Sequence, residues 1–233
     1  MRISLLVVFA ALLSSACSTP LASRRAQVLE KGEAEFIAVP AAVVIASPGV
    51  EGFGGLPHVE GSVRFGIFER TDVQLKIDEA LFPELSFGYQ ILGDPHVNEF
   101  AMTVTAGSKV AVLPTTFGVA VLPTTFGTVG NVSVPLQLLF DIPITDEGAL
   151  YFGTRTILGA VFYVGGGGGA AGLAVTPGVV VGASIPFGIF VLQPEVAGNY
   201  PLAVPGGQSK RGYVAIGLGL GARFDLSTMR SAK

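Results

Sequence analysis

The side chains able to do chemistry are few. Two histidines and one cysteine stand among the 233 residues, too few for a zinc cluster, and a single thiol forms no internal disulfide. His58 with Glu60 is the one pairing of an imidazole with a nearby carboxylate that could serve as a base and its orienter. His96 follows the turn signal Gly93-Asp94-Pro95. The five glycines at 165–169 precede Ala-Ala-Gly, whereas a phosphate loop needs a Lys-Ser/Thr and a helix; the run reads as a flexible outer loop. The formal net charge of −3 leaves no electrostatic footprint for nucleic acid. The chain is expected to hold no metal and no cofactor, and to be no enzyme.

What could position these groups follows from composition. Charged residues make up 13% of the chain and hydrophobic ones 50%, against roughly 25% charged in a soluble domain. Disorder needs the opposite balance. Past the N-terminus no apolar run of about 18 residues escapes Gly or Pro, which excludes a bundle of membrane helices. From Glu33 onward the hydrophobic pattern has period two, the signature of strands. Ten such segments lie near 33–46, 59–68, 72–79, 84–92, 99–112, 131–142, 148–163, 172–184, 189–198 and 213–224. The nonapeptide VAVLPTTFG occupies 110–118 and again 119–127; it lengthens one loop or adds two short strands.

Short connections at 69–71, 93–95, 145–147 and 186–188 alternate with longer ones at 47–58, 113–130, 164–171 and 199–212, with 80–83 as the short exception. That alternation predicts an all-β, closed, antiparallel, up-and-down transmembrane barrel of about ten strands, within a range of eight to twelve. By the same alternation His58 lies on the long-loop side and His96 on the other, so they share no metal and no dyad.

One parity of each strand carries the charges. Arg64, Lys76, Lys109, Asp141, Arg155, Glu195 and Arg223 are assigned to the lumen, with Glu35, Glu60, Asp72, Asp78, Glu84 and Glu99 on the same parity. Glycines such as Gly66, Gly88, Gly217 and Gly219 share that face and would make room in a narrow interior. The other parity is apolar and is assigned to lipid, where a Lys or Arg costs roughly 2–4 kcal/mol at the bilayer midplane. Phe68, Tyr89, Phe100, Phe140, Tyr151, Phe162, Tyr163, Phe187, Tyr200 and Tyr213 lie near strand ends, where aromatic residues sit at headgroup depth. Charges of both signs inside predict a filled or very narrow lumen. The architectural alternative is a soluble, lipocalin-like barrel with its apolar face inward.

Residues 1–16 (MRISLLVVFAALLSSA) combine Arg2, an apolar stretch and small residues before Cys17, the pattern of a secretory signal peptide. The cysteine directly after it resembles the lipobox of bacterial lipoproteins, which implies cleavage before Cys17 and a lipid, palmitate included, on its sulfur and amine. Ser14 stands where that family usually has an aliphatic residue. Ser18, where an Asp would retain the protein at the inner membrane, implies export to the outer one. Residues 17–32 read as a periplasmic tether, 33–226 as the barrel and 227–233 as a periplasmic tail.

From Glu33 to Phe224 the pattern resembles that of bacterial outer-membrane β-barrel proteins. The ending Gly221-Ala222-Arg223-Phe224 is similar to the terminal-strand signal read by their assembly machinery, although nine residues follow Phe224. The resemblance implies a monomer whose partners are outer-membrane lipid and that machinery. It implies a structural or interaction role, or a narrow, porin-like channel for small solutes. Alternatives are uptake of hydrophobic small molecules and a lipid-anchored periplasmic binding barrel. Outer-membrane proteases and lipid-A deacylases of this shape place a histidine near the outer rim, and only His58 with Glu60 could do so here; a loop histidine beside a solvated carboxylate is the preferred reading.

Overall fold

Ten strands close on themselves in the computed structural model, which describes residues 21–46, 54–78, 83–114, 127–165, 168–202 and 212–226. In chain order they are β1 (Glu33–Ala46), β2 (Gly54–Phe68), β3 (Thr71–Asp78), β4 (Pro83–Leu92), β5 (Ala101–Pro114), β6 (Gly127–Pro143), β7 (Ala149–Gly165), β8 (Gly168–Phe187), β9 (Phe190–Asn199) and β10 (Gly212–Asp225). Each pairs antiparallel with its sequence neighbours. β1 then pairs with β10, from Glu33 opposite Asp225 to Ala46 opposite Gly212. Closure leaves no edge strand, so every ladder is complete without a partner chain.

The even strand number returns the chain to its starting rim. That rim also carries the turns after β2, β4, β6 and β8. Two of them, Phe68–Thr71 and Phe187–Phe190, have only two residues between paired strand ends, and in the second Gly188 has φ +65, a positive φ that such hairpins favour. The turn after β4 is longer than the sequence pattern suggests and spans 93–100.

At the other rim the glycine run is not the long loop expected at 164–171. Val164 pairs with Gly169 and Gly165 with Gly168, so those glycines end two long strands. The tandem repeat is split. Its first residues complete β5, which pairs as far as Pro114 opposite Thr128, and 115–126 lie outside the described residues. Among the described residues the strand count is ten, with no extra pair.

The distribution of side chains is inverted relative to a protein in water. Along β4, Leu85, Phe87 and Tyr89 are 44%, 52% and 54% exposed, while Glu84, Ser86 and Gln90 are buried. Along β10, Val214, Ile216, Leu218 and Leu220 face out, and Ala215, Gly217 and Gly219 face in. The soluble barrel with an apolar interior is thereby excluded. β1 departs from the pattern: Ile37, Val39 and Val43 are buried inside as well, because they pack against a segment that enters the barrel.

Candidate functional site

That segment is Leu21–Glu30, which leads directly into β1. The sequence reading of 17–32 as a periplasmic tether is corrected for the described part: residues 21–29 turn inward into the lumen. Their composition looks like a linker, but the wall supplies partners for most of its polar groups, the exceptions including Arg24 Nε and one Arg24 terminal nitrogen. Arg24 is fully buried and its guanidinium lies 2.8 Å from Asp72. Arg25 donates Nε to Asp141 at 2.7 Å, and its terminal nitrogens reach Asn98 and the Glu147 carbonyl in the turns below.

The main chain of this plug is held as closely as its side chains. Asp141 also accepts the amides of Ala26 at 2.7 Å and Gln27 at 2.9 Å. Glu195 accepts those of Ala22 and Ser23, Gln90 that of Val28, and Asp72 that of Leu29. In the other direction, Thr103 donates to the Ala26 carbonyl, Gln74 to that of Ser23, and both Lys76 and Arg155 to that of Leu21. Ser23 has φ 53, an uncommon conformation for a residue with a side chain, held where its amide and hydroxyl meet Glu195 and Glu60. Buried polar groups in a low-dielectric interior are costly unless paired, so this mutual satisfaction fixes one path for the plug.

Three glycines admit it, Gly88 by leaving room for the Arg24 guanidinium. A Cβ on Gly66 would overlap the Glu30 carbonyl, and one on Gly217 would meet Leu21 and Val39. Leu21, Ala22 and Ala26 pack with Ile37, Val39 and Leu139 in one apolar cluster. The chain therefore runs from the turn-side rim at Gly32, through Val28 beside Gln90 and Arg24 beside Asp72, to Leu21 beside Lys76 and Arg155.

The assigned lumen charges fall as follows. Arg64, Lys76, Lys109, Asp141, Arg155 and Glu195 are buried, and Arg223 is half-buried at the rim. Arg64 bridges Glu35 and Asp72, Arg223 pairs with Glu35 at 2.7 Å, Lys109 with Asp78 at 2.9 Å, and Arg155 with Glu84 at 2.9 Å. Glu99 is exposed in the turn after β4 and belongs to no lumen pair. Among the described residues the wall thus presents seven inward carboxylates (Glu35, Glu60, Asp72, Asp78, Glu84, Asp141, Glu195) against five cations (Arg64, Lys76, Lys109, Arg155, Arg223). Seven less five leaves two negative charges, and Arg24 and Arg25 bring two positive ones. That surplus was the signal in the sequence for a missing basic element.

His58 is not a loop residue. It lies on β2, buried, with Nε2 2.9 Å from Glu60. The other Glu60 oxygen takes the Ser23 hydroxyl at 3.1 Å and lies 3.2 Å from Lys76. The serine therefore donates to the carboxylate rather than to the imidazole, the opposite of a nucleophile–base arrangement. His96 is exposed at the turn-side rim beside Glu30. No group of metal-binding side chains occurs among the described residues. Tyr151 and Tyr213, expected at headgroup depth, are buried inside; Tyr151 donates its hydroxyl to Glu195 at 2.8 Å. Phe224 lies near the turn-side rim, its ring 6.1 Å from that of Phe36. Cys17 lies outside the described residues.

A continuous apolar exterior around a charged interior is stable only where hydrocarbon, not water, surrounds the cylinder. The barrel spans a membrane. Rings such as Phe140 and Phe152, stacked at 5.3 Å, and Phe187 and Phe190, at 5.9 Å, gather near its turn-side rim, the position of an interfacial aromatic girdle. A closed, even-stranded barrel of this kind is the outer-membrane type, which places the chain in an outer membrane.

No family model matches the chain, and no curated protein does. Among solved structures it is similar to the translocator domain of the autotransporter NalP from Neisseria meningitidis, with TM-score 0.47, 12% identity, and 96% of each chain covered. It is similar also to Neisserial surface protein A, with TM-score 0.41, 15% identity, and 83% of this chain and 100% of that one covered. The attachment invasion locus protein Ail of Yersinia pestis gives TM-score 0.41 and 15% identity over 83% and 99%.

Proposed function

We propose that this chain is a sealed outer-membrane barrel with a structural or interaction role, its lumen closed by its own N-terminal segment. One observation carries the reading: Arg24 and Arg25, buried inside the cylinder, pair with Asp72 and Asp141 on different strands, so the plug is bonded across the cavity. A porin needs a water-filled interior, and Asp72, Gln74, Lys76, Gln90, Thr103, Asp141, Arg155 and Glu195, which would line one, are bonded to the plug. An apolar path for hydrophobic solutes is equally disfavoured by this charged lining. In planar bilayers the full-length barrel is expected to give no discrete conductance steps; open-channel steps in the majority of insertions would refute the sealed reading.

Attachment through lipid on Cys17 and assembly through Phe224 belong to the same reading. The signal-like stretch before Cys17 supports the first, and the rim position of Phe224 the second. Metabolic labelling with palmitate is expected to mark the chain and to be lost in Cys17→Ser; unchanged labelling of that variant would remove the lipoprotein assignment.

A further inference from the structure

We propose that the lumen wall is a binding site for a dibasic peptide, with residues 21–30 as its resident ligand, and that the emptied lumen selects cations. The proposal rests on the sealed reading above and adds what the wall recognises. Two kinds of contact define the ligand. Carboxylates and amides of the wall read the backbone of a bent segment, as Glu195 does at Ala22 and Ser23 and Gln90 at Val28. Such contacts require that backbone path but tolerate many sequences. The register comes from two adjacent guanidiniums, each with its own acid: Asp72 for Arg24 and Asp141 for Arg25. These acids lie on β3 and β6, so the site is built by closure of the barrel and not by one hairpin.

Removing the segment leaves Asp141 without its cation and Asp72 with Arg64 alone, and leaves the wall with its surplus of two negative charges. A narrow lumen lined by fixed negative charge concentrates cations and repels anions. The segment is also joined to the barrel by a short link. Lys31 is exposed, and Gly32 has φ +94 where the chain turns from the lumen into β1. A cut there interrupts none of the strand ladders.

The test inserts a specific protease site between Lys31 and Gly32 and holds the folded barrel in a planar bilayer. Uncut, it is expected to be silent; conduction at this stage refutes the sealed reading itself. After cleavage and a high-salt wash, with release of the segment followed by mass spectrometry, steps should appear whose reversal potential in a KCl gradient favours K⁺. A synthetic peptide of residues 21–32 should then block them, and the same peptide carrying Arg24→Ala and Arg25→Ala should block about a hundredfold more weakly or worse. A chain lacking residues 21–30 is the second variant, its folding checked by heat-modifiable gel migration, and it decides the matter if the cut segment stays bound. Closed lumens after release, anion-preferring or unselective steps, or equal block by the two peptides would each overturn the proposal.

Discussion

Asp141→Ala tests the seat of the plug most directly, because one carboxylate makes three bonds to it. The substitution removes the acceptor for Arg25 Nε at 2.7 Å and for the amides of Ala26 and Gln27 at 2.7 and 2.9 Å. Arg25 keeps only neutral acceptors, Asn98 and the Glu147 carbonyl. Breaking one side of a buried ion pair costs about 3–5 kcal/mol, and each 1.4 kcal/mol is about tenfold in an equilibrium. The population with the plug unseated should therefore rise by roughly a hundredfold to a few thousandfold. The strand ladders do not pass through this contact, so the loss falls on the plug and not on the wall. Native-state amide exchange in detergent micelles separates the two. The amides of Ser23 and Val28, bonded to Glu195 and Gln90, should exchange faster by that factor, while a ladder amide such as Leu138 stays protected. In an Arg25→Met background the same substitution should cost less, since no charge is left stranded. Unchanged protection of the plug amides, or equal loss across plug and ladder, would refute the reasoning.

Three further outcomes follow from the same geometry. Gly66→Ala should lower stability by about 1–3 kcal/mol through overpacking, because its Cβ would strike the Glu30 backbone, whereas outward Gly61→Ala, with its nearest neighbour 4.0 Å away, should change little; urea midpoints compare them. Leu218→Lys places a charge on the lipid face near the middle of β10 and should cost roughly 2–4 kcal/mol in bilayer-folded protein; a cost below 1 kcal/mol would argue against Leu218 facing the hydrocarbon. Tyr151→Phe removes the hydroxyl bonded to Glu195 and should cost about 0.5–1.5 kcal/mol, read as the shift in thermal midpoint.

The barrel was legible because its strands obey a two-residue rule that needs no tertiary knowledge. Asp72, Lys76 and Asp78 share a parity within eight residues, and all three are buried. The plug was hidden for the converse reason. Arg24 and Arg25 look like linker residues in isolation, and their partners stand 48 and 116 positions away. No local pattern announces such pairings; only the surplus of wall carboxylates did. Tyr151 was misplaced because nearness to a strand end was allowed to outweigh parity, although it stands four residues from inward Arg155. The glycine run hid its pairing because a residue without a side chain shows no alternation, and the β7–β8 ladder places Gly165, Gly168 and Gly169 in strands.

The plug precedes β1 without a break, and β1 forms the seam with β10. Arg25 bonds Asn98 and the Glu147 carbonyl in the turns at the mouth, so the plug is tied to the turn-side rim as well as to the seam. The segment that fills the cylinder and the strand that closes it are thus one continuous stretch of chain, hinged at Gly32. A pull on the plug is felt first at Glu33, where the seam begins opposite Asp225.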